Sequence, residues 1–235
     1  MKDFFIDSIT TNHLRLRFLN SKGLVVNKSL KEFTLNLEVN ARLHVYLAGP
    51  DVFAPDPIKI GAEKKRLVTE AGHIGHFPMD PEFDSFGNNK ETAYKIGAAN
   101  EGLMKMSQVI LANMTPFRGS SMDVGTAFEV GYMSYKYDSD PYVLIIGYYE
   151  NECELNYAKR LTDLTYNGNV TIEEHGVLRG GDGMSLENFD LSENLMIPAA
   201  IHKTGGEIYM SFQEAVNNIQ VLWNKKITSM AINLD

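Results

Sequence analysis

The sequence predicts a doubly wound α/β domain built on a mostly parallel sheet. Apolar runs of strand length alternate with amphipathic stretches of helix length, and glycine or proline punctuates the junctions between them. The 235 residues suit one good-sized domain with extensions, or at most two small ones, and an apolar fraction of 44% is enough for a substantial core.

Residues 1–40 read as that extension, and 41–235 as the main domain. Period-two pieces such as Leu14–Phe18 and Phe33–Leu37, separated by polar turns like Asn20-Ser-Lys-Gly23, predict one or two short strands. Leu43–Ala48 is the first buried strand, ending at Gly49-Pro50. A helix over 58–71 follows, with Glu63, Lys64, Lys65 and Arg66 assigned to its wet side and Gly72 as its stop. His73–Phe77 is a weaker strand closed by Pro78 and Pro81, and 82–89 is loop. A helix over 91–107 leads into the apolar strand 108–114. Thr115–Ser121 is turn chemistry, after which Asp123 caps a further helix. Tyr142–Gly147 is another buried strand. Residues 167–188 are rich in glycine and asparagine and read as loop, with closure as a lid left open. Gly206–Met210 is the last strand, and Ser211 caps a helix through Trp223. The five strands from Leu43 onward make a flavodoxin-like sheet.

Composition excludes several classes of function. No run of 18 apolar residues suggests a membrane span, and the N-terminus carries no secretory cleavage pattern. A single cysteine, Cys153, rules out an intramolecular disulfide framework and fits a reducing cytoplasm. A formal charge of −8 without a basic block argues against a nucleic-acid partner. Neither a G-x-G-x-x-G nor a P-loop lysine is present, so no nucleotide cofactor is expected; Asp51, beside Gly49, is read as repelling a phosphate. His73 and His76, three apart and without a third ligand, make a poor metal site, and no metal is expected.

The chemistry concentrates after strand ends, where open parallel sheets bind ligands. Glu129 lies between Phe128 and Val130, just inside a helix N-terminus. A carboxylate among apolar neighbours is expensive to bury unless it is hydrogen-bonded or used. Gly49 lets a ligand approach the first loop, and Tyr46 sits near the same strand's end as either a core aromatic or a site residue.

Four segments together resemble the nucleoside 2-deoxyribosyltransferase family: Tyr46-Leu-Ala-Gly-Pro50 with Phe53; Pro116-Phe-Arg-Gly119; Asp123-x-Gly-Thr-Ala-Phe-Glu129-x-Gly131; and Asn194-Leu-Met196. The likeness runs from about Leu43 to Trp223 in the family's order. It implies exchange of the base on a 2′-deoxynucleoside for a free nucleobase, through a covalent deoxyribosyl-enzyme ester. Glu129 falls at the nucleophile, and Tyr46 at the tyrosine that holds it. Asp123 falls at a carboxylate that contacts ligand, a role compatible with capping. Asn100 falls at a position that is aspartate in many members and asparagine in a purine-preferring branch. As an amide it donates a hydrogen bond but not an acid's proton, which leaves the proton donor to the base open between Asp123 and water. Asn194, in the segment with Met196, resembles an asparagine that reaches a neighbouring subunit's site, which implies a homo-oligomer. Phe53 and Phe117 are placed to sandwich a planar base, and Arg118 to bond a base oxygen or pair with Asp123; loop packing and a surface ion pair are the structural alternatives. Two rivals stand beside the transferase: an N-glycoside hydrolase of 2′-deoxynucleosides or their 5′-monophosphates, and a nucleoside-binding sensor.

Overall fold

The computed structural model describes residues 4–10, 13–19, 25–28, 41–81, 89–150 and 153–232. The chain divides into two compact units, residues 42–219 and residues 1–41 with 220–235. In the second unit β1 (Phe4–Thr10), β2 (His13–Leu19) and β3 (Val25–Lys28) form an antiparallel sheet in that order. β2 covers the expected strand 14–18. The strand expected at Phe33–Leu37 lies outside the described residues.

The larger unit is the α/β domain. β4 (His44–Ala48), β5 (Ile74–His76), β6 (Val109–Asn113), β7 (Leu144–Tyr148) and β10 (Ile208–Tyr209) are all parallel, in the order β10-β7-β6-β4-β5. From β4 the chain first steps outward to β5 and then crosses back to β6. The two connections leaving β4 and β6 therefore diverge, and a crevice opens at the carboxyl ends of these strands. β6 and β7 are buried at every residue, as strands covered on both faces must be.

Side-chain alternation divides the core. Tyr46, Ala48, Ile110, Ala112 and Ile145 pack with Val130 and Met133 of α3 (Val124–Ser139) and with Ile197, Ala200 and Ile201 of α5 (Met196–Lys203). On the opposite face Tyr148 meets Lys64 of α1 (Pro57–Glu70) and the ring of Phe212, the first residue of α6 (Phe212–Ile232). α2 (Lys90–Met106) precedes β6, capped by Asn89, whose side chain accepts from the Thr92 amide.

Element boundaries fall within two residues of expectation for most of this unit, with four differences. Lys64 is not on the wet side of α1; it is buried beneath the β4 loop. Four consecutive helical residues spread over nearly a full turn, so they cannot share one face. The 167–188 stretch is not loop throughout: β8 (Val170–Ile172) pairs with β9 (Leu178–Gly180) as an antiparallel hairpin. A short helix, α4 (Tyr157–Leu164), precedes it, and α6 runs well past Trp223.

Candidate active site

Tyr46 is the third residue of β4, and strand alternation turns it toward α3. Its hydroxyl donates a 2.6 Å hydrogen bond to Oε1 of Glu129. Glu129 sits on the second turn of α3, which begins where Oδ2 of Asp123 accepts from the Thr126 amide at 2.9 Å and from its hydroxyl at 3.1 Å. The cap fixes the helix start, and the helix repeat then brings residue 129 to the Tyr46 side.

Burial drives the Glu129 carboxyl up from its ordinary value to about 7; the Tyr46 hydrogen bond pulls it down in part, and the charge of Asp123 raises it. Tyr46 is wholly buried, and its phenol is pushed far above its ordinary value by burial, then by the Glu129 charge and the shared hydrogen bond. The pair thus works as a permanent phenol donor on a carboxyl that titrates near neutrality. Its desolvation does not come from Phe128, as the sequence suggested. Phe128 is exposed, since the residue next along a helix points about 100° away.

The carboxylate opens on a cavity of about 340 Å³ lined by Gly49, Val52, Phe53, Pro78, Met79, Ile96, Asn100, Asp123, Gly125 and Glu129. It lies in the crevice between the β4 and β6 connections. Gly49 is needed for a close approach. Its backbone is extended, but a Cβ there would fall 2.8 Å from the Asn113 Cβ and 3.0 Å from Oδ2 of Asp51. Asn100, on α2, has a buried Oδ1 without a hydrogen-bond partner. An orphaned acceptor in a cavity wall is what a ligand donor would satisfy. Among the described residues no cation lines the cavity, and no group of three His, Cys, Asp or Glu side chains is placed to hold a metal ion.

The other expected residues are divided between the cavity and its surroundings. Phe53 and Phe117 do not leave a slot for a planar base; they stack on each other at 5.4 Å with planes 14° apart. Arg118 does not pair with Asp123 among the described residues but lies over both rings, 5.1 and 4.7 Å from their centroids. Of these three only Phe53 lines the cavity. Asn194 is outside it too. Its amide donates to Glu187 at 2.8 Å, and its oxygen accepts from the Met196 amide. Met196 is exposed beside a groove between α3 and α5. Asp51 does not confront the cavity as a free charge; it is buried against Lys64 at 2.7 Å.

One buried structure had no sequence signal. Arg160 on α4 is 1% exposed; it donates to the carbonyls of Ser120, Glu154 and Ser192 and pairs with Glu193 at 2.9 Å. Glu193 also accepts from the Met122 amide. These bonds tie the segment entering Asp123 to the one carrying Asn194.

Comparison with known proteins gives the site a context. The family model described as nucleoside 2-deoxyribosyltransferase matches residues 45–196. An uncharacterized protein of Schizosaccharomyces pombe is 27% identical over 194 residues, covering 81% of this chain and 90% of its own. Among solved structures, a 2-desoxiribosyltransferase from Leishmania mexicana is similar in fold, with a TM-score of 0.54 and 24% identity. That match covers 75% of this chain and 96% of the other.

Proposed function

The chain belongs to the nucleoside 2-deoxyribosyltransferase family, and we propose that it exchanges the base of a 2′-deoxynucleoside through a covalent deoxyribosyl ester on Glu129. In the first half-reaction a Glu129 oxygen bonds to C1′ while the N-glycosidic bond breaks and its electron pair leaves with the base. In the second, a nitrogen of the incoming base attacks C1′, its N–H proton is lost to solvent, and Glu129 departs as carboxylate. The transition states are oxocarbenium-like, and the geometry of a single carboxylate acting on both halves retains configuration. The observation that carries this reading is Glu129 itself: a carboxyl in a mostly apolar cavity, restrained by Tyr46 and, among the described residues, without a cation partner.

Each neighbouring group has a role consistent with that chemistry. Tyr46 orients the attacking carboxylate and keeps enough of it ionised near pH 7. Asn100 offers its unpartnered oxygen to a donor on the base or sugar, and Asp123 faces the same cavity while capping α3. Phe53 provides an apolar wall and Gly49 a backbone against which the ligand lies. Phe117 and Arg118 back Phe53; a base entering between the two rings would have to part them to about 7 Å, twice the van der Waals thickness of a ring. An unphosphorylated substrate is favoured because, among the described residues, two carboxylates and no cation line the cavity.

The active unit is proposed to be a homo-oligomer in which Asn194, with Met196 beside it, serves a neighbouring copy's site. Support comes from Asn194 lying outside its own cavity and from the exposed apolar residues Val124, Phe128 and Tyr135 along α3. Incubation with deoxyinosine, with and without adenine, tests the function. Deoxyadenosine should form only when adenine is present; equal release of free 2-deoxyribose in both tubes would make the protein an N-glycoside hydrolase instead.

A further inference from the structure

Beneath the first loop lies a buried ion cluster that the proposed chemistry does not use. Lys64, 6% exposed, pairs with Asp51 at 2.7 Å and with Glu150 at 2.5 Å, and donates to the Tyr148 hydroxyl at 2.9 Å. Those three bonds take all three ammonium hydrogens, so Lys64 has no proton or donor to spare for a ligand. Its charge also lies about 5 Å from the rings of Tyr148 and Phe212.

An apolar side chain would fill this space without the cost of desolvating three charges. What it could not do is hold Asp51. Asp51 belongs to the tight turn Pro50–Phe53, whose Val52 and Phe53 form one wall of the cavity. The turn is gripped from the other side as well. Gly49 packs on the side chain of Asn113, and the Asn113 amide donates to Glu150 at 3.1 Å. The contacts close a circuit from Lys64 through Asp51, Gly49, Asn113 and Glu150 back to Lys64. Rigid support of this kind fixes a cavity wall that backbone bonds alone leave loose; the turn's end keeps one such bond, from the Ala54 amide to the Asp51 carbonyl.

We infer that Lys64 and Asp51 are positioning residues which hold the Val52–Phe53 wall against the cavity and so decide whether the glycosyl ester meets a base or water. The inference rests on the proposed transferase reading. In transfer a base nitrogen bonds to C1′ and gives up its proton to solvent as the Glu129 ester bond breaks and the carboxylate leaves. In hydrolysis a water oxygen does so, losing its proton to solvent and releasing free 2-deoxyribose. A loosened wall admits water and favours the second course.

The test compares the parent with Asp51→Asn, which keeps shape and loses charge, and Asp51→Ala, which loses both. Two readouts are taken: amide hydrogen exchange of residues 49–54 against strand 44–48, and the ratio of free sugar to exchanged nucleoside from deoxyinosine and adenine. Partial unfolding lowers both products by one factor and leaves their ratio unmoved, which separates positioning from a merely structural role. Asp51→Ala should raise the ratio about fivefold or more and deprotect 49–54 while 44–48 stays protected, with Asp51→Asn intermediate. An active parent with an unchanged ratio and unchanged protection in both variants overturns the inference and leaves the transferase reading intact. A parent that makes neither product sinks that reading; unchanged protection in the variants would then overturn the positioning role separately. If Asp51→Ala does not fold, Asp51→Asn carries both readouts.

Discussion

Glu129 is held at a disadvantage to folding, and the sign of that cost is testable. Its folded value of about 7 exceeds its ordinary one, so between pH 4.5 and about 7 the folded chain keeps a proton that the unfolded chain has released. Stability from this group is complete below that window and lost as the pH rises through it. Glu129→Gln should therefore abolish base exchange yet raise stability by about 1–3 kcal/mol at pH 8, with no gain at pH 4; denaturant titrations at the two pH values measure it. An ionised nucleophile also requires exchange activity to rise with pH through about 7. Tyr46→Phe removes the hydrogen bond that lowers the carboxyl's value, so the acid limb of the pH–rate profile should move to higher pH. The same variant should slow exchange on the order of 10–100-fold. If the limb moves to lower pH, the role given to Tyr46 is wrong.

At the scale of elements, α3 depends on its cap and on the clamp behind it. Asp123→Ala should lose about 1 kcal/mol of stability while Asp123→Asn, itself a good cap, loses little. If both lose exchange activity alike, the charge of Asp123 matters beyond capping. Arg160→Met strands the buried Glu193 carboxylate and should cost about 3–5 kcal/mol, read as a fall in melting temperature. The contrast between these two residues shows what is legible in a sequence. Asp123 caps a helix through a bond three residues away, a local pattern with a local signature. Arg160 works through Ser120, Glu154, Ser192 and Glu193, and no window of sequence contains that set. Lys64 is illegible for the same reason: no short window of sequence holds both of its partners, Asp51 and Glu150. The sheet strands were readable because β6 and β7 are buried on both faces and so appear as unbroken apolar runs. The β8–β9 hairpin is three residues a side, with little buried at either strand, and left no apolar periodicity to find. The stacking of Phe53 on Phe117 depends on how two loops meet, which residue type alone does not specify.

Across the whole molecule, two features await a partner in the proposed reading: an exposed apolar stripe and an asparagine outside its own cavity. Val124, Phe128 and Tyr135 are all more than half exposed at spacings of four and seven along α3, a pattern suited to helix packing. Phe128→Glu should shift the protein toward monomer in sedimentation velocity; a parent that is already monomeric would contradict the oligomer. Asn194→Ala should then raise KM for the nucleoside without changing the size of the assembly. Among the described residues no helix is long and apolar enough to cross a membrane. The chemistry itself is tested most directly by stopping the reaction with acid during turnover of deoxyinosine and mapping the digested protein by mass. A deoxyribosyl group on the peptide that contains Glu129, and its disappearance when adenine is added before the quench, is the predicted result. An unmodified peptide during active turnover, or a sugar carried on any other residue, would contradict the account.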